Sequence, residues 1–128
     1  MIPVAIGTDI VDKRRIVALH DRHGDRFVQR ILTRAEQDDL ARTRDTGGFL
    51  ARRFCAKEAV SKVLGTGMAQ GISFRDIEIG HDALGRPLVR LHGQARHRAR
   101  ELGIGEIALS ISDERNYAVA FAIAHTVT

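Results

Sequence analysis

The chain has 128 residues, a length that predicts a single domain over residues 1–128 with a real hydrophobic core. Apolar residues make up 44% of it and charged residues 28%, proportions that fit a globular protein and exclude a disordered one. The net charge of +4 predicts a polyanionic partner: nucleic acid, an acidic protein or a phosphate-rich small molecule.

The same sequence argues against membrane insertion and secretion. No stretch approaches the roughly 20 apolar residues that cross a bilayer. In the N-terminal MIPVAIGTDIVDKRR the apolar run precedes the basic residues, the reverse of a secretory signal. Cys55 is the only cysteine, which excludes an internal disulfide and a thiolate metal site. We therefore expect a cytoplasmic protein.

The chain opens with a predicted strand and a short helix. The segment IPVAI is rich in Val and Ile and predicts a buried strand at 2–6. Gly7 follows, and Asp9 is expected at the exit of this strand. From about Asp12 to Arg22, apolar residues recur between charged ones, a pattern typical of an amphipathic helix.

Two more helices are predicted before the pattern changes. Thr33 followed by Glu36 has the spacing of a capping box and begins a second helix. A third and longer helix is predicted from about Gly48 to Leu64, and Gly65 ends it. Its apolar positions are so numerous that we expect it to be largely buried.

The second half of the chain is dominated by strand patterns. SFRDIEIGHD and RPLVRLHG predict two strands joined by the turn DALG, with Pro87 beginning the return strand. QARHRARELG predicts a polar helix that Gly103 ends. EIALSIS alternates as a half-buried strand, and YAVAFAIAH predicts a strand in the centre of the sheet. The order β-ααα-ββ-α-ββ predicts an α+β fold: a largely antiparallel sheet packed against helices, one of them long and buried.

Glu58 and Lys62 lie one turn apart on the predicted long helix. Ala51, Cys55 and Ala59 flank them, and these small side chains are expected to leave room beside the charges. Taken alone, the spacing favours an ordinary ion pair on a solvated face, worth about 0.3–0.5 kcal/mol. The alternative is that the pair forms half of an active site.

Asp9 strengthens that alternative. Alone, its simplest role is to cap the helix that follows it. Mg²⁺, however, takes one or two protein carboxylates together with water and substrate phosphate oxygens, and Asp9 with Glu58 would supply such a pair. Lys62, one of few lysines in a chain that otherwise uses arginine, would hold a phosphate oxygen. This set suits phosphoryl-type transfer, in which catalysis is mostly positioning and charge neutralisation.

The segment Gly65-Thr66-Gly67 has two interpretations. A glycine after a helix is usually a C-terminal cap, and the helix dipole has the wrong sign for a phosphate at that end. Backbone amides in a glycine turn can nevertheless form an anion nest, so phosphate contact stays open as the second interpretation.

The first helical region carries a set of arginines. Arg15, Leu19, Arg22 and Arg26 are expected near one stripe, with Phe27 beside it. The stripe is either a solvated charged face or a docking surface for an acidic helical protein. Nucleic acid is disfavoured, because aromatic residues are 5% of the chain and offer no row of stacking platforms.

Histidine and cysteine provide no further chemistry. His20 and His23 could share a helix face, but no third metal ligand follows them. Neither an HEXXH motif nor a nucleophile elbow occurs. We expect Cys55 to be a small packing residue, not a nucleophile.

Together these segments resemble the holo-acyl-carrier-protein synthases, small phosphopantetheinyl transferases of fatty acid synthesis. The family shows a GxDI strand exit followed by an RI pair, which reads GTDIVDKRRI here, and a second motif that reads RFCAKEAVSKVLGTG here. RILTRAE, SFRDIEI and GRPLV are similar to the segments between and after them. The resemblance covers essentially the whole chain.

The resemblance implies a reaction and its catalytic groups. Phosphopantetheine would pass from coenzyme A to a serine of apo acyl carrier protein, with release of adenosine bisphosphate. Asp9 and Glu58 match the Mg²⁺ ligands of the family, and Glu58 would help to deprotonate the serine. Lys62 would stabilise charge on the pyrophosphate.

It also implies the binding surfaces. Arg15 matches the arginine that engages the acidic carrier protein, and further residues extend that surface: Leu19, Arg22, Arg26 and Phe27. The segments that border coenzyme A contain Arg53, Lys62, Gly65, Thr66, Gly67, Ser112 and Asp113. The family is typically a homotrimer with active sites between protomers, so the apolar strands are expected to include subunit contacts.

One residue departs from the family pattern. A late strand of the family usually carries a Ser-x-Ser-His segment whose histidine contacts nucleotide phosphates. This chain reads SISDER, with Asp113 in place of the histidine. An anion facing a phosphate is unfavourable unless a metal or Arg115 intervenes. Coenzyme A would then bind somewhat differently, or the site would be weakened.

Two alternatives to an active transferase stay open at this point. A non-catalytic basic module that binds an acidic protein or RNA would explain the charge, but it leaves Asp9, Glu58 and Lys62 without a role. A transferase-like protein that binds coenzyme A without turnover would retain the motifs. We favour the active transferase.

Overall fold

The computed structural model describes residues 1–127, which form two antiparallel sheets and a set of helices. The elements in chain order are β1 (Pro3–Asp12), α1 (Lys13–His23), α2 (Asp25–Ile31), α3 (Arg34–Ala41), α4 (Thr46–Val63), a 3-10 turn (Phe74–Asp76), β2 (Ile77–His81), β3 (Pro87–Leu91), α5 (Gly93–Glu101), β4 (Ile104–Asp113) and β5 (Tyr117–Thr126). The predicted α+β class with antiparallel strands is confirmed.

The larger sheet has the strand order β1-β5-β4, so β5 is central, as the sequence predicted. Its register places Asp9 opposite Ala120, and Asp113 opposite Ala118. Strands β2 and β3 form a separate two-stranded sheet. The expectation of one sheet is therefore corrected to two.

Helix α4 is the predicted long buried helix, and it packs across β1 and β5. The close approach depends on small residues on both elements. The buried side chains of β5 are all alanines, and Ala51, Cys55 and Ala59 of α4 are fully buried. These three residues therefore allow the helix to approach the sheet, which corrects the expectation that they leave room beside Glu58 and Lys62.

Strand β1 differs from its prediction in length and exposure. It extends to Asp12, so Asp9 lies inside the strand and not at its exit. Its outward side chains are exposed, with Ile6 and Ile10 each 66% accessible. The strand is buried on one face only, because α4 covers only that face.

Helix α2 was missed from the sequence. Gly24, with φ of +56°, ends α1, and its carbonyl oxygen accepts the first hydrogen bonds of α2. Arg22 and Arg26 therefore lie on different helices, so the single stripe predicted for them is wrong. The predicted capping box of Thr33 and Glu36 is confirmed.

A buried ion pair joins these helices to α4. Lys57 Nζ donates to Glu36 Oε1 at 2.5 Å and to the carbonyl oxygens of Ile31 and Phe74 at 2.6 and 3.1 Å. Glu36 Oε2 accepts from the Ile79 amide at 2.9 Å. One salt bridge thus connects α2, α3, α4, the 3-10 turn and β2.

Within residues 1–127, no helix combines the length and the apolar character that a membrane span requires.

Candidate active site

Strand β1 and helix α4 bring Asp9 and Lys62 together. Lys62 Nζ lies 3.3 Å from Asp9 Oδ1 and donates to the carbonyl oxygen of Thr8 at 2.8 Å. The lysine side chain is 50% exposed and that of Asp9 18% exposed, so the pair lies at the protein surface. Lys62 therefore forms an ion pair with Asp9, 53 residues away in sequence. It also lies one helical turn from Glu58.

Glu58 is close enough to this pair for the charges to act on it. Burial raises the pKa of Glu58 above its usual value, and the Asp9 carboxylate raises it further. Lys62 and Arg15 oppose that shift of the pKa. Two carboxylates that repel each other beside a lysine form a site that a divalent cation would stabilise.

The close contact between the strand and the helix depends on Gly7. A Cβ atom at this position would lie 2.2 Å from the carbonyl oxygen of Ala59, well inside van der Waals contact. The same added Cβ atom would also lie 3.1 Å from the Cβ atom of Lys62. Glycine therefore lets the backbone of β1 approach α4, and this approach brings Asp9 within reach of Lys62.

Cys55 lies beneath the site as a packing residue, as expected. Its thiol donates to the carbonyl oxygen of Asp9, with sulfur and oxygen 3.1 Å apart. Burial raises the pKa of the thiol to about 12, so it stays protonated and unreactive.

The glycine turn after α4 is a helix cap. Gly65 and Gly67 have φ of +77° and +59°, and their amides donate to the carbonyl oxygens of Lys62 and Ser61. These two amides are therefore engaged within the turn, which disfavours the anion nest. A contact with coenzyme A from Gly65, Thr66 or Gly67 stays a prediction.

Arg53 lies in a second, basic region. It is 4% exposed, and its guanidinium stacks on the ring of Phe49 at 4.3 Å. Arg53 Nη2 lies 3.4 Å from His81 Nδ1 and 3.8 Å from Asp39 Oδ2. The buried Nη1 of Arg53 has no hydrogen-bond partner among the described residues. Burial lowers the pKa of Arg53.

A cavity of about 490 Å³ adjoins this guanidinium. It is lined by Asp39, Phe49, Arg52, Arg53, His81, Gly85, Pro87 and Ile111. Two arginines and one histidine against a single aspartate make it suitable for an anion. Sequence reasoning identified Arg53 but missed Arg52, His81, Gly85 and Pro87. No local signal reveals the hairpin residues, because His81 is 28 residues from Arg53 in sequence and only the fold brings the two together.

Asp113 is paired with two cations. Its Oδ2 accepts from Lys13 Nζ at 2.7 Å and from Arg52 Nη1 at 3.1 Å. The hydrogen bond from Lys13 is the main reason that the pKa of Asp113 lies below its usual value. The cations that intervene are thus Lys13 and Arg52, where the sequence suggested Arg115. Ser112 is exposed beside them on β4.

The predicted docking residues are only partly on one surface. Arg15 lies 5.5 Å above the Phe54 ring and close enough to Glu58 to lower its pKa. Arg22 and Arg26 are exposed, and Leu19 is half-buried. Phe27 is 7% exposed, so it belongs mainly to the core and offers little area to a partner.

The donor set for a metal is small. No cluster of three or more His, Cys, Asp or Glu side chains that could hold an ion was found between residues 1 and 127. Asp9 and Glu58 are two hard oxygen donors, which suits Mg²⁺ because it completes its coordination with water and substrate phosphates.

Comparison with known proteins identifies similar chains. Residues 5–122 match the family described as the 4'-phosphopantetheinyl transferase superfamily. The holo-acyl-carrier-protein synthase of Halorhodospira halophila is 54% identical over 118 residues, which is 92% of this chain and 94% of the relative.

Solved structures agree with this result. The holo-acyl-carrier-protein synthase of Neisseria meningitidis is 43% identical with a TM-score of 0.88, covering 95% of this chain and 98% of that one. The Helicobacter pylori synthase, solved in complex with coenzyme A, is 30% identical with a TM-score of 0.82 over 94% and 99% of the two chains.

Proposed function

The chain belongs to the 4'-phosphopantetheinyl transferase superfamily, and from this membership we propose how its residues carry out the reaction. The enzyme transfers phosphopantetheine from coenzyme A to an apo acyl carrier protein, as its relatives support. We propose that the acceptor is a serine hydroxyl and that the leaving group is adenosine 3',5'-bisphosphate.

Glu58 acts as the general base in this proposal. It accepts the proton of the serine hydroxyl, whose oxygen then forms a bond to the β-phosphorus of coenzyme A. The bond from that phosphorus to the bridging oxygen breaks, and the electron pair leaves with the adenosine bisphosphate. In the metal-free protein, burial and the Asp9 carboxylate raise the pKa of Glu58, which favours proton acceptance.

Asp9 and Glu58 would hold Mg²⁺, and the ion would neutralise charge on the pyrophosphate. Lys62 contributes a positive charge from the chain itself. Its half-exposed ammonium lies beside Asp9, where it can turn toward a phosphate oxygen of the substrate.

The cavity at Arg53 supports a proposal for nucleotide binding. Arg53 is buried, and its Nη1 has no hydrogen-bond partner within residues 1–127; together with Arg52 and His81 it is suited to a phosphate group of coenzyme A. Gly65, Thr66, Gly67, Ser112 and Asp113 are proposed to border the same substrate.

The exposed arginines support carrier-protein docking. Arg15, Arg22 and Arg26 offer positive charge to an acidic partner, and Arg15 is close enough to Glu58 to act on its pKa. A carrier bound to Arg15 would therefore bring its serine near the proposed base.

We propose a homotrimer with active sites between protomers, and the outer face of the larger sheet supports association between copies of the chain. Ile6, Ile10, Val119 and Phe121 are exposed on neighbouring strands and form an apolar face that a second copy of the chain would bury. We also propose a cytoplasmic location, because the single cysteine of the chain is a buried free thiol, as is typical of a reducing compartment.

The observation that carries the mechanistic proposal is the approach of Lys62 to Asp9, 53 residues away in sequence, with Glu58 close enough to both for their charges to act on it. The test is intact mass spectrometry of an apo acyl carrier protein incubated with the enzyme, coenzyme A and Mg²⁺. We expect a mass gain of one phosphopantetheine that requires the metal.

Glu58→Ala should abolish this gain, whereas Glu101→Ala, which removes an exposed glutamate of α5, should not. A gain that persists in Glu58→Ala would contradict the role of Glu58. A folded wild-type enzyme that binds coenzyme A but modifies no carrier would instead indicate lost turnover.

A further inference from the structure

Asp113 occupies a position that looks unfavourable for nucleotide binding. Its carboxylate lies at the end of β4, and Arg52, which it contacts, lines the basic cavity with Arg53 and His81. A carboxylate near a bound phosphate would normally weaken binding. The contacts of this carboxylate indicate instead that it favours phosphate binding.

One carboxylate oxygen of Asp113 accepts hydrogen bonds from two cationic side chains. Lys13 Nζ and Arg52 Nη1 donate to the same Oδ2, at 2.7 and 3.1 Å. The three side chains together carry one net positive charge. Asp45 Oδ2 lies 3.8 Å from Arg52 Nη1, but its side chain is 68% exposed and therefore largely screened by solvent.

The two cations serve different purposes in this arrangement. Arg52 lines the cavity, and its long side chain would otherwise sample many rotamers in solution. Asp113 restricts that freedom by accepting from one of its guanidinium nitrogens. Lys13 donates to the same carboxylate oxygen and neutralises its charge, so the aspartate orients Arg52 without presenting an unpaired negative charge.

We propose that Asp113 is a positioning residue that holds Arg52 ready to bind the 3'-phosphate of coenzyme A. This inference rests on the proposed function. The 3'-phosphate is favoured over the pyrophosphate because Asp9, Glu58 and Lys62 already form the site for the pyrophosphate. Arg52, Arg53 and His81 form a separate cation cluster, and the 3'-phosphate is the remaining anionic group of coenzyme A.

The proposal is tested by comparing coenzyme A with dephospho-coenzyme A, which lacks the 3'-phosphate. Calorimetry gives the Kd of each for the wild-type protein and for Asp113→Asn, which has the same shape without the charge. The wild type should prefer coenzyme A by about 100-fold, and Asp113→Asn should lose about tenfold of that preference. Its Kd for dephospho-coenzyme A should not change.

The sign of the change separates positioning from simple repulsion. If Asp113 only repelled the phosphate, Asp113→Asn would bind coenzyme A more tightly than the wild type. An unchanged preference in Asp113→Asn would overturn the proposal as well. Asp38→Asn removes an exposed carboxylate of α3 and is the matched control, for which both Kd values should stay as in the wild type.

Two further variants keep the test independent of any folding defect in Asp113→Asn. Lys13→Met leaves the carboxylate without its neutralising partner and should lose the preference for the 3'-phosphate to a similar extent. Asp113→His would place a third basic group against Lys13 and Arg52, and it should also weaken coenzyme A binding. Tighter binding by Asp113→His would overturn the proposal.

Failure of this inference can be distinguished from failure of the proposed function. A wild-type protein that binds neither coenzyme A nor dephospho-coenzyme A would overturn both. A wild-type protein that transfers phosphopantetheine but has equal Kd values for the two compounds would overturn only the role of Asp113 and Arg52.

Discussion

Two lysines of helix α4, Lys57 and Lys62, have opposite surroundings. Lys57 is fully buried and donates to three acceptors, one of them the carboxylate of Glu36. Lys62 is half-exposed, with one carbonyl oxygen and one carboxylate oxygen within reach at 2.8 and 3.3 Å. Both are charged residues beside a carboxylate, but only Lys62 is open to a ligand.

Burial explains why the two pairs have different roles. Burial lowers the pKa of Lys57, and the Glu36 carboxylate opposes that shift, so the lysine depends on its partner to stay charged. Such a pair fixes the relative positions of the elements it connects. Lys62 keeps contact with water and can exchange its protein partners for a substrate phosphate. The same residue type on one helix can therefore be structural or functional, depending on its access to solvent.

Lys57→Met is the variant with the largest expected effect. It leaves Glu36 buried without its cation, and we expect a loss of about 3–5 kcal/mol in the free energy of unfolding. Urea unfolding measures that loss. The kcat of the fraction that stays folded should be close to that of the wild type. A stable but inactive Lys57→Met would reverse the roles that we assign to the two lysines.

Lys62→Met makes the same chemical change one and a half turns along the helix. Transfer activity should fall by about 10²–10³-fold, because a charge that stabilises the pyrophosphate is lost. The free energy of unfolding should change by less than about 0.5 kcal/mol, as for other exposed ion pairs. Steady-state kinetics and urea unfolding on the two lysine variants form one matched experiment. A Lys62→Met variant with wild-type activity would contradict the role of Lys62 as the cation that stabilises the pyrophosphate.

Gly7→Ala tests the contact that brings the functional pair together. A methyl group would lie 2.2 Å from a backbone oxygen of α4, so the strand and the helix must separate. We expect a loss of about 1–3 kcal/mol of stability together with reduced activity. Gly80→Ala in β2 is the control, because no atom lies within 4 Å of a Cβ at that position. Equal effects of the two substitutions would refute the close-approach argument.

Glu58→Gln should have only a small effect on stability, and that effect depends on pH. The pKa of Glu58 is raised in the folded protein above its usual value of 4.5, so the ionised carboxylate destabilises the fold at pH 7. Glu58→Gln should therefore raise Tm at pH 7 by less than about 4 °C. At pH 4, where the group is largely protonated in both states, the gain should vanish. A gain that is equal at both pH values would point to packing instead.

The fold was largely predictable because its signals are local. The capping box of Thr33 and Glu36, the glycine after α4 and the alternation in β4 depend on neighbouring residues, and the structure contains each element. Helix α2 was missed because only the unusual backbone of Gly24 separates it from α1. The exposure of β1 was also missed, because a strand with apolar residues on both faces gives no sign of which face is covered.

The sequence by itself determined the fold class, the family motifs and the residue types of the site: Asp9, Glu58 and Lys62. Only the tertiary structure decided which lysine is buried and which carboxylate reaches it. It also decided the partners of Asp113, since Lys13 and Arg52 lie 100 and 61 residues away in sequence. The physical reason is that caps and periodicity act over a few residues, whereas the burial and pairing of a charge depend on which distant segments pack around it.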